Sequence, residues 1–423
     1  MSRTRKQLRQ ALSYLLGDYW SATFTSNGST TVGKSDALKN KFVEWISENA
    51  YFLGTSGTNL NAERRITDFI PEEGQIELAY ALAAATALDD TYEIHRMFTP
   101  SEKHEALNRA RLKCFPLLRQ DIEDDRLTVG DISSNGDFSK WTAATEPDDW
   151  TRTNCNALKE TTIVWKSGVS CKLTASAALA TLKQNLITTT PYPYLKLNTK
   201  SLTFYAWVYC DIANEARIGI EHPSGTISYS DYHTGSKQWE KLYVTVTISD
   251  PEVVNLVLAI ASDTVVAYFD HAYAYTNYNI YEYDLTDMGL IGDPSAVMVE
   301  DDDENPYSPF TPLQDWSVSP ANKLRFSVLP NRGYKMRVIG QKYLSSVSAD
   351  TDTMEIDEDG EDLLCCAAAI ELFKMRRGKV GIFNVAEIDK SIAYWIMEET
   401  KAKRKYYARH PLPPVELNFP TPM

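Results

Sequence analysis

The stretch from about Gly130 to Asn277 constrains the chain most, because short β-type runs alternate there with turns. Leu202 to Cys210 alternates and is rich in aromatics, Arg217 to Glu221 is a second short run, and Val253 to Ala261 is nearly all apolar. Short strands at regular spacing with turn signals between them predict a β-sandwich. The segments on either side read as helical where they meet it. The spacing therefore predicts a multi-domain α+β chain with a sandwich inserted into another domain. At 423 residues, two or three domains are expected. The pattern divides them as residues 1–128, a sandwich over 129–278, a C-terminal part over 279–409 and an extended tail over 410–423.

The first part opens with a helix over Thr4 to Leu16, whose apolar positions Leu8, Ala11, Leu12, Leu15 and Leu16 share one face. Strands follow at 19–26, 51–53, 64–69, 75–80 and 91–97, with Gly54, Gly57 and Pro71 to Gly74 as punctuation. Ser101 starts a helix within Ser101 to Arg119 that ends near Pro116 or shortly after, with Glu102 and Glu105 near its start. Asp121 to Asp125 then reads as an acidic linker. Beyond the sandwich, Asp301 to Glu304 predicts a solvated loop. Strands are expected at 323–329 and 334–343, and helices at 361–376 and 385–409. The second helix ends in a basic run, Lys401 to Arg409, before a proline-rich segment.

The net charge of −14 argues against nonspecific nucleic-acid binding by the whole surface, while leaving room for local basic patches. No apolar run approaches the length of a membrane span. The basic start, Met1 to Lys6, is not followed by an apolar core, so no secretion signal is expected. The six cysteines are scattered at 114, 155, 171, 210, 365 and 366, which predicts buried free thiols in a reducing compartment.

Gly28 to Ser35 satisfies the pattern G-x-x-x-x-G-K-[ST], in which loop amides cradle phosphate and Lys34 would neutralise it. The preceding strand is short and polar, whereas a central parallel strand should be a continuous apolar run. No alternation of β and α elements follows, so a threonine-rich hairpin turn is the expected reading. The histidines lack metal-ligand spacing, and neither a nucleophile elbow nor a dinucleotide fingerprint occurs. No enzyme activity, cofactor or metal is expected. Trp141, Trp150, Trp165, Tyr229 and Tyr232 are the candidates for stacking on sugar rings, since such side chains present a flat face and a polar edge. Trp207 and Trp239 lie inside regular strands and read as core.

Two resemblances follow from these residues. The opening Asn135-Gly136-Asp137-Phe138…Trp141, the strand Trp239-Glu240-Lys241-Leu242-Tyr243-Val244-Thr245-Val246 and the closing Tyr268-Phe269-Asp270 resemble the jelly-roll carbohydrate-binding modules attached to glycoside hydrolases. That resemblance covers about a third of the chain and implies glycan binding. Many such modules carry an acidic calcium ligand just after the opening Phe. Ser139 stands there, which leaves Asp137 and Asp270 as the oxygen ligands to consider.

The flanks look like a tailed-bacteriophage head–tail adaptor (connector) protein. The motifs are Thr25-Ser26-Asn27-Gly28-Ser29-Thr30-Thr31, Asn61 to Phe69, Gly333 to Gly340 and the Ala-rich helix from Leu363. The resemblance implies a structural virion protein at the neck, assembled in the host cytoplasm. It would form a homo-oligomeric ring of twelve copies joining the portal protein to tail or neck proteins. Closing a ring needs complementary patches on each copy. Lys401, Lys403, Arg404, Lys405 and Arg409 with Pro411, Pro413 and Pro414 are the expected partner-binding residues, and the acidic loop is their complement. Packaged DNA is the other candidate for the basic patch. The alternative function is a carbohydrate-binding adhesion protein on the virion surface.

Overall fold

A computed structural model describes residues 2–39, 41, 46, 50–166, 168–192, 195–249, 252–378 and 385–409. The chain divides into two compact units, Met1–Gln120 with Tyr343–Met423, and Asp121–Lys342. The second is inserted in the first. Its end differs from the expected boundary at 278, because residues 279–342 belong with the sandwich.

In the first unit, β1 (Arg3–Thr4) leads into α1 (Arg5–Leu16). The Thr4 hydroxyl accepts the Gln7 N–H while the Gln7 side chain accepts the Thr4 N–H, so two otherwise orphaned donors are satisfied at the start of the helix. Gly17, at φ +67°, ends it in the left-handed region. Six strands follow: β2 (Tyr19–Thr23), β3 (Val32–Lys34), β4 (Tyr51–Gly54), β5 (Glu63–Ile70), β6 (Gln75–Leu78) and β7 (Thr91–His95). Their order is β2-β7-β4-β5-β6-β3. Beyond Thr23 the chain runs on to pair with β3, through the Thr25 N–H to the Lys34 carbonyl and the bridge Ser26↔Lys34. The sheet thus closes into a small barrel around Phe24, Phe52, Ile66, Ile76, Tyr92 and Ile94.

The phosphate-loop pattern lies in that barrel and is not a cradle. The Gly28 amide donates to the Thr86 carbonyl and the Ser29 amide to Val32, while Lys34 is paired with Glu73 at 2.9 Å. A side chain at position 28 would collide with the Val32 carbonyl and Thr86, so the glycine serves close backbone packing. After Lys34 the described residues form a 3-10 turn, Asp36–Leu38, and most of positions 40–49 lie outside the described residues. Next, α2 (Pro100–Lys113) is capped by Thr99 rather than Ser101, with a reciprocal bond to Glu102, and it ends at Lys113, shortly before the expected end near Pro116.

The second unit contains β8 (Gln120–Thr128), β9 (Thr151–Thr153), β10 (Cys155–Glu160), β11 (Ser170–Ala175), β12 (Ala180–Asn185), β13 (Ser201–Cys210), β14 (Ala216–Glu221), β15 (Ile227–Tyr229), β16 (Trp239–Thr247), β17 (Asn255–Ile260) and β18 (Val266–Thr276). The smaller strands β19 (Glu282–Asp284), β20 (Ala296–Glu300), β21 (Phe310–Pro312), β22 (Trp316–Val318), β23 (Lys323–Phe326) and β24 (Lys335–Lys342) follow. Two five-stranded sheets, β10-β11-β18-β13-β16 and β15-β14-β17-β12-β9, form the sandwich. From β13 to β18 the chain crosses between the sheets, with β14, β15 and β17 in one and β13, β16 and β18 in the other, as in a jelly roll. One apolar core fills the space between them.

Two small sheets complete this unit, β19-β23-β22 and β21-β20-β24-β8. The predicted acidic linker is therefore strand β8. It forms because Asp124 is bonded to Arg126, and Asp125 takes two bonds of 2.8 Å from Arg337 on β24.

Back in the first unit, β25 (Thr353–Met354) pairs with β1, placing Arg3 opposite Met354. It is followed by α3 (Glu358–Arg377) and α4 (Val385–Arg409). Leu363, Leu364, Ala367, Ala368 and Leu372 of α3 are buried against α1, α2 and α4, and Trp395 of α4 joins that core. Between α1, α2 and the barrel lies a buried charge network. The Arg9 guanidinium donates to both Glu93 carboxylate oxygens at 2.9 and 3.1 Å. The Lys103 ammonium reaches the Asp18 carboxylate at 2.9 Å, the Ser13 hydroxyl at 2.8 Å and His95 Nδ1 at 2.9 Å.

Candidate functional site

The site is built on the outer face of the sheet β10-β11-β18-β13-β16. In β13 the even positions Leu202, Phe204, Ala206, Val208 and Cys210 face the sandwich core. Period-two geometry then turns Thr203, Tyr205, Trp207 and Tyr209 to the opposite face. Across the sheet, Tyr209 is opposite Trp239 on β16 and Tyr268 on β18, and Tyr268 is opposite Lys172 on β11. These four form a row across four strands, about 14 Å long at the usual strand spacing. Their rings meet at angles: Tyr209 to Trp239 is 5.8 Å at 59°, and Tyr209 to Tyr268 is 5.7 Å at 80°. All four residues are half-buried. Each therefore keeps part of its side chain toward solvent.

Beside this row, Trp165 stacks on Trp207 with centroids 3.9 Å apart and lies 6.4 Å from Trp239. Asp270 positions it, for the fully buried carboxylate accepts the backbone N–H groups of Trp165, Lys166 and His271. A second aromatic group, Tyr205, Tyr243, Tyr273 and Tyr275, continues along the sheet, with Tyr205 5.2 to 5.6 Å from the other three. Tyr243 is 63% exposed, whereas Tyr273 is buried.

The segment after β20 covers part of the face. The buried Lys166 ammonium is paired with Glu300 at 2.8 Å and donates to the Asp303 carbonyl at 2.6 Å, while Lys241 is paired with the Asp303 carboxylate. Burial lowers the Lys166 pKa, and the Glu300 carboxylate opposes that shift. Asp303 is thus engaged with this sheet rather than wholly solvated, which corrects the reading of 301–304 as a free acidic patch. Burial and the neighbouring Asp211 raise the Tyr209 phenol, so it remains neutral and able to donate a hydrogen bond.

Of the five aromatics predicted from sequence, only Trp165 lies on this face. Trp150 is a correction: it is 3% exposed and packs 5.5 Å from the Phe138 ring. Trp141 is half-buried against the core, its indole N–H donating to the Phe138 carbonyl at 2.7 Å. Tyr229 and Tyr232 flank the Arg217 guanidinium at 3.5 and 4.5 Å, beside the other sheet. Trp239, expected in the core, is instead part of the open row. The signal missed was parity: in 202–210 one set of alternate positions is aliphatic-rich and the other aromatic.

The predicted basic patch is largely paired within the chain. Lys401 pairs with Glu398 at 2.7 Å, Lys403 with Glu399 at 2.9 Å, and Lys405 with Asp359 and Asp362 at 3.1 and 2.9 Å. Arg409 is paired with Asp359 at 2.7 Å, and Arg404 is exposed. Pro411, Pro413 and Pro414 lie outside the described residues. Asp137 lines a cavity of about 230 Å³ with Asp131, Lys140, His271, Tyr283 and Asp287. Among the described residues, no group of three or more His, Cys, Asp or Glu side chains is placed to hold a metal ion.

No protein-family model and no curated protein matches the chain. Three of the solved structures that resemble it each match about a third of the chain. The xylan-binding domain CBM22-1 of Paenibacillus barcinonensis Xyn10C is 13% identical, covering 37% of this chain and 97% of its own, with a TM-score of 0.27. TmCBM61 in complex with β-1,4-galactotriose is 10% identical over 36% of this chain and 98% of its own, with a TM-score of 0.25. The enzymatically active domain of bacteriophage CBA120 tailspike protein 4 is 9% identical over 35% of this chain and 21% of its own, with a TM-score of 0.27.

Proposed function

We propose that the inserted unit is a carbohydrate-binding module and that the chain acts by adhesion, without catalysis, on the surface of a virion. The observation that carries this reading is the row Trp239, Tyr209 and Tyr268, aromatic and half-open on a rigid sheet. Sugar rings present C–H faces that stack on such side chains, and the Tyr209 hydroxyl adds directional hydrogen bonding. Trp165 and Trp207 brace Trp239 from the side. Trp239→Ala in the full chain should weaken glycan binding about 10- to 100-fold through lost burial and stacking. Affinity electrophoresis in gels containing soluble polysaccharides, with the thermal transition as a control for folding, reads this directly. Unchanged retardation of a folded Trp239→Ala protein would sink the proposal.

The adaptor role is a second reading, for the unit that carries the insertion. It is favoured by α4, which exposes Tyr394, Ile396 and Met397 near the middle of the helix at 48 to 51%. Apolar side chains on a charged helix suit a contact between copies. Sedimentation of the purified chain should show a closed oligomer, and Met397→Lys should disperse it to monomers with the fold intact. A wild-type monomer at micromolar concentration would end this reading and leave glycan binding untouched.

A further inference from the structure

We propose that the glycan held by the aromatic row is acidic, with a carboxylate lying against Lys172 at the β11 end. The inference rests on the glycan-binding reading and adds the class of sugar. Its basis is the charge along the row. At the β16 end, Lys237 beside Trp239 is balanced by Asp211 at 3.5 Å. On the flank, Lys241 is held by Asp303 and Lys166 by Glu300. Glu160, two residues beyond Leu158 on β10, turns its carboxylate to the Thr161 and Thr162 amides and the Thr162 hydroxyl.

Lys172 differs from these cations. No carboxylate among the described residues lies within 4.0 Å of its ammonium, which stands 5.8 Å from the Tyr268 ring centroid. Leu158, directly opposite on β10, is 51% exposed. The stem of Lys172 lies on an aromatic and apolar surface while its charge stays available at the end of the track. On a chain of net charge −14, an uncompensated cation in line with three aromatic rings gives an acidic ligand one favoured place and one favoured direction.

A single half-exposed charge pair should be worth about a five- to tenfold preference, reduced by salt. The test is affinity electrophoresis of the full chain in gels containing glucuronoxylan, polygalacturonate or hyaluronan, each beside its carboxyl-reduced counterpart. At least one carboxylated polymer should retard the protein about fivefold more strongly than its reduced partner. Lys172→Met should abolish that difference, with retardation of the same variant by the reduced polymer as the reference. Equal retardation by both forms, or a difference that survives Lys172→Met, overturns the acidic-sugar inference and leaves glycan binding standing. If none of the six polymers retards the wild-type chain, the glycan-binding reading falls with it.

Discussion

Replacing Lys103 with methionine should destabilise the first unit by about 3–5 kcal/mol, the cost of leaving one partner of a buried ion pair alone. Lys103 and Asp18 are both fully buried, and the ammonium also bonds Ser13 and His95. Methionine keeps most of the side-chain volume, so packing is nearly conserved while the Asp18 carboxylate loses its counter-charge. In a unit of this size the transition should fall by on the order of 10 °C. Lys103→Met with Asp18→Asn should recover much of that loss, because no uncompensated charge then remains in the interior. Urea denaturation of the two variants and the wild type measures both effects. A single variant within 1 kcal/mol of wild type would mean that water reaches Asp18 and that the network is less enclosed than its geometry indicates.

That network also shows why part of the fold was hidden in the sequence. Helices α1, α3 and α4 were legible because their apolar residues recur at helical spacing and meet one core, with Leu8, Leu12, Leu363, Leu364 and Trp395 buried. The β-sandwich was legible from its alternating runs. Strand β8 was not, because Asp121 to Asp125 carry charges that suggest solvent. Their neutralising partner Arg337 lies more than two hundred residues further on. The same long-range pairing of β8 with β24 moved the domain boundary from 278 to 342.

At the candidate site, period-two spacing in β13 was visible, but both faces of the strand are apolar. Only the sheet order shows that Leu202, Phe204, Ala206, Val208 and Cys210 face the core and Tyr205, Trp207 and Tyr209 do not. Trp150 follows Asp148 and Asp149 and so reads as exposed, yet its ring inserts beside Phe138. Arg217 occupies the space between Tyr229 and Tyr232. Both are tertiary facts without a local signature.

Acidification should destabilise the first unit more than the second. In the first unit, the Lys103 ammonium needs an acceptor at His95 Nδ1, leaving Nε2–H to donate to Glu93 at 3.1 Å. His104 likewise accepts from Arg9 at 2.9 Å. Burial, reinforced by the Lys103 charge, holds His95 at about 4. Burial with the Arg9 and Arg5 charges holds His104 at about 3. Both lie below the unfolded value of 6.5, so their contribution is complete above that pH and is lost as the pH falls toward 4 and 3. Each histidine should cost the unit about 2 kcal/mol between pH 7.5 and 5.

Asp131 in the second unit has the opposite sign. Its Oδ1 accepts the Ser133 and Ala274 N–H groups and the Ser133 hydroxyl, yet burial outweighs these bonds and raises the carboxyl to about 7. The folded state therefore holds a proton that the unfolded state releases above 3.8, and stability rises as the pH falls from 7 toward 4. The buried free thiols report each unit separately, Cys114 and Cys365 in the first and Cys171 and Cys210 in the second. Labelling with an acid-active disulfide reagent along a urea gradient should show the first pair becoming reactive at lower urea at pH 5 than at pH 7.5. The second pair should shift less, because the gain at Asp131 is opposed by His271, which burial holds neutral. Asp131→Asn should leave the opposing His271 in place and so make the second pair reactive at lower urea at pH 5 than at pH 7.5, since an amide oxygen can accept the same three bonds. Parallel shifts of all four thiols would show that the units unfold together and that neither set of buried groups titrates as its surroundings require.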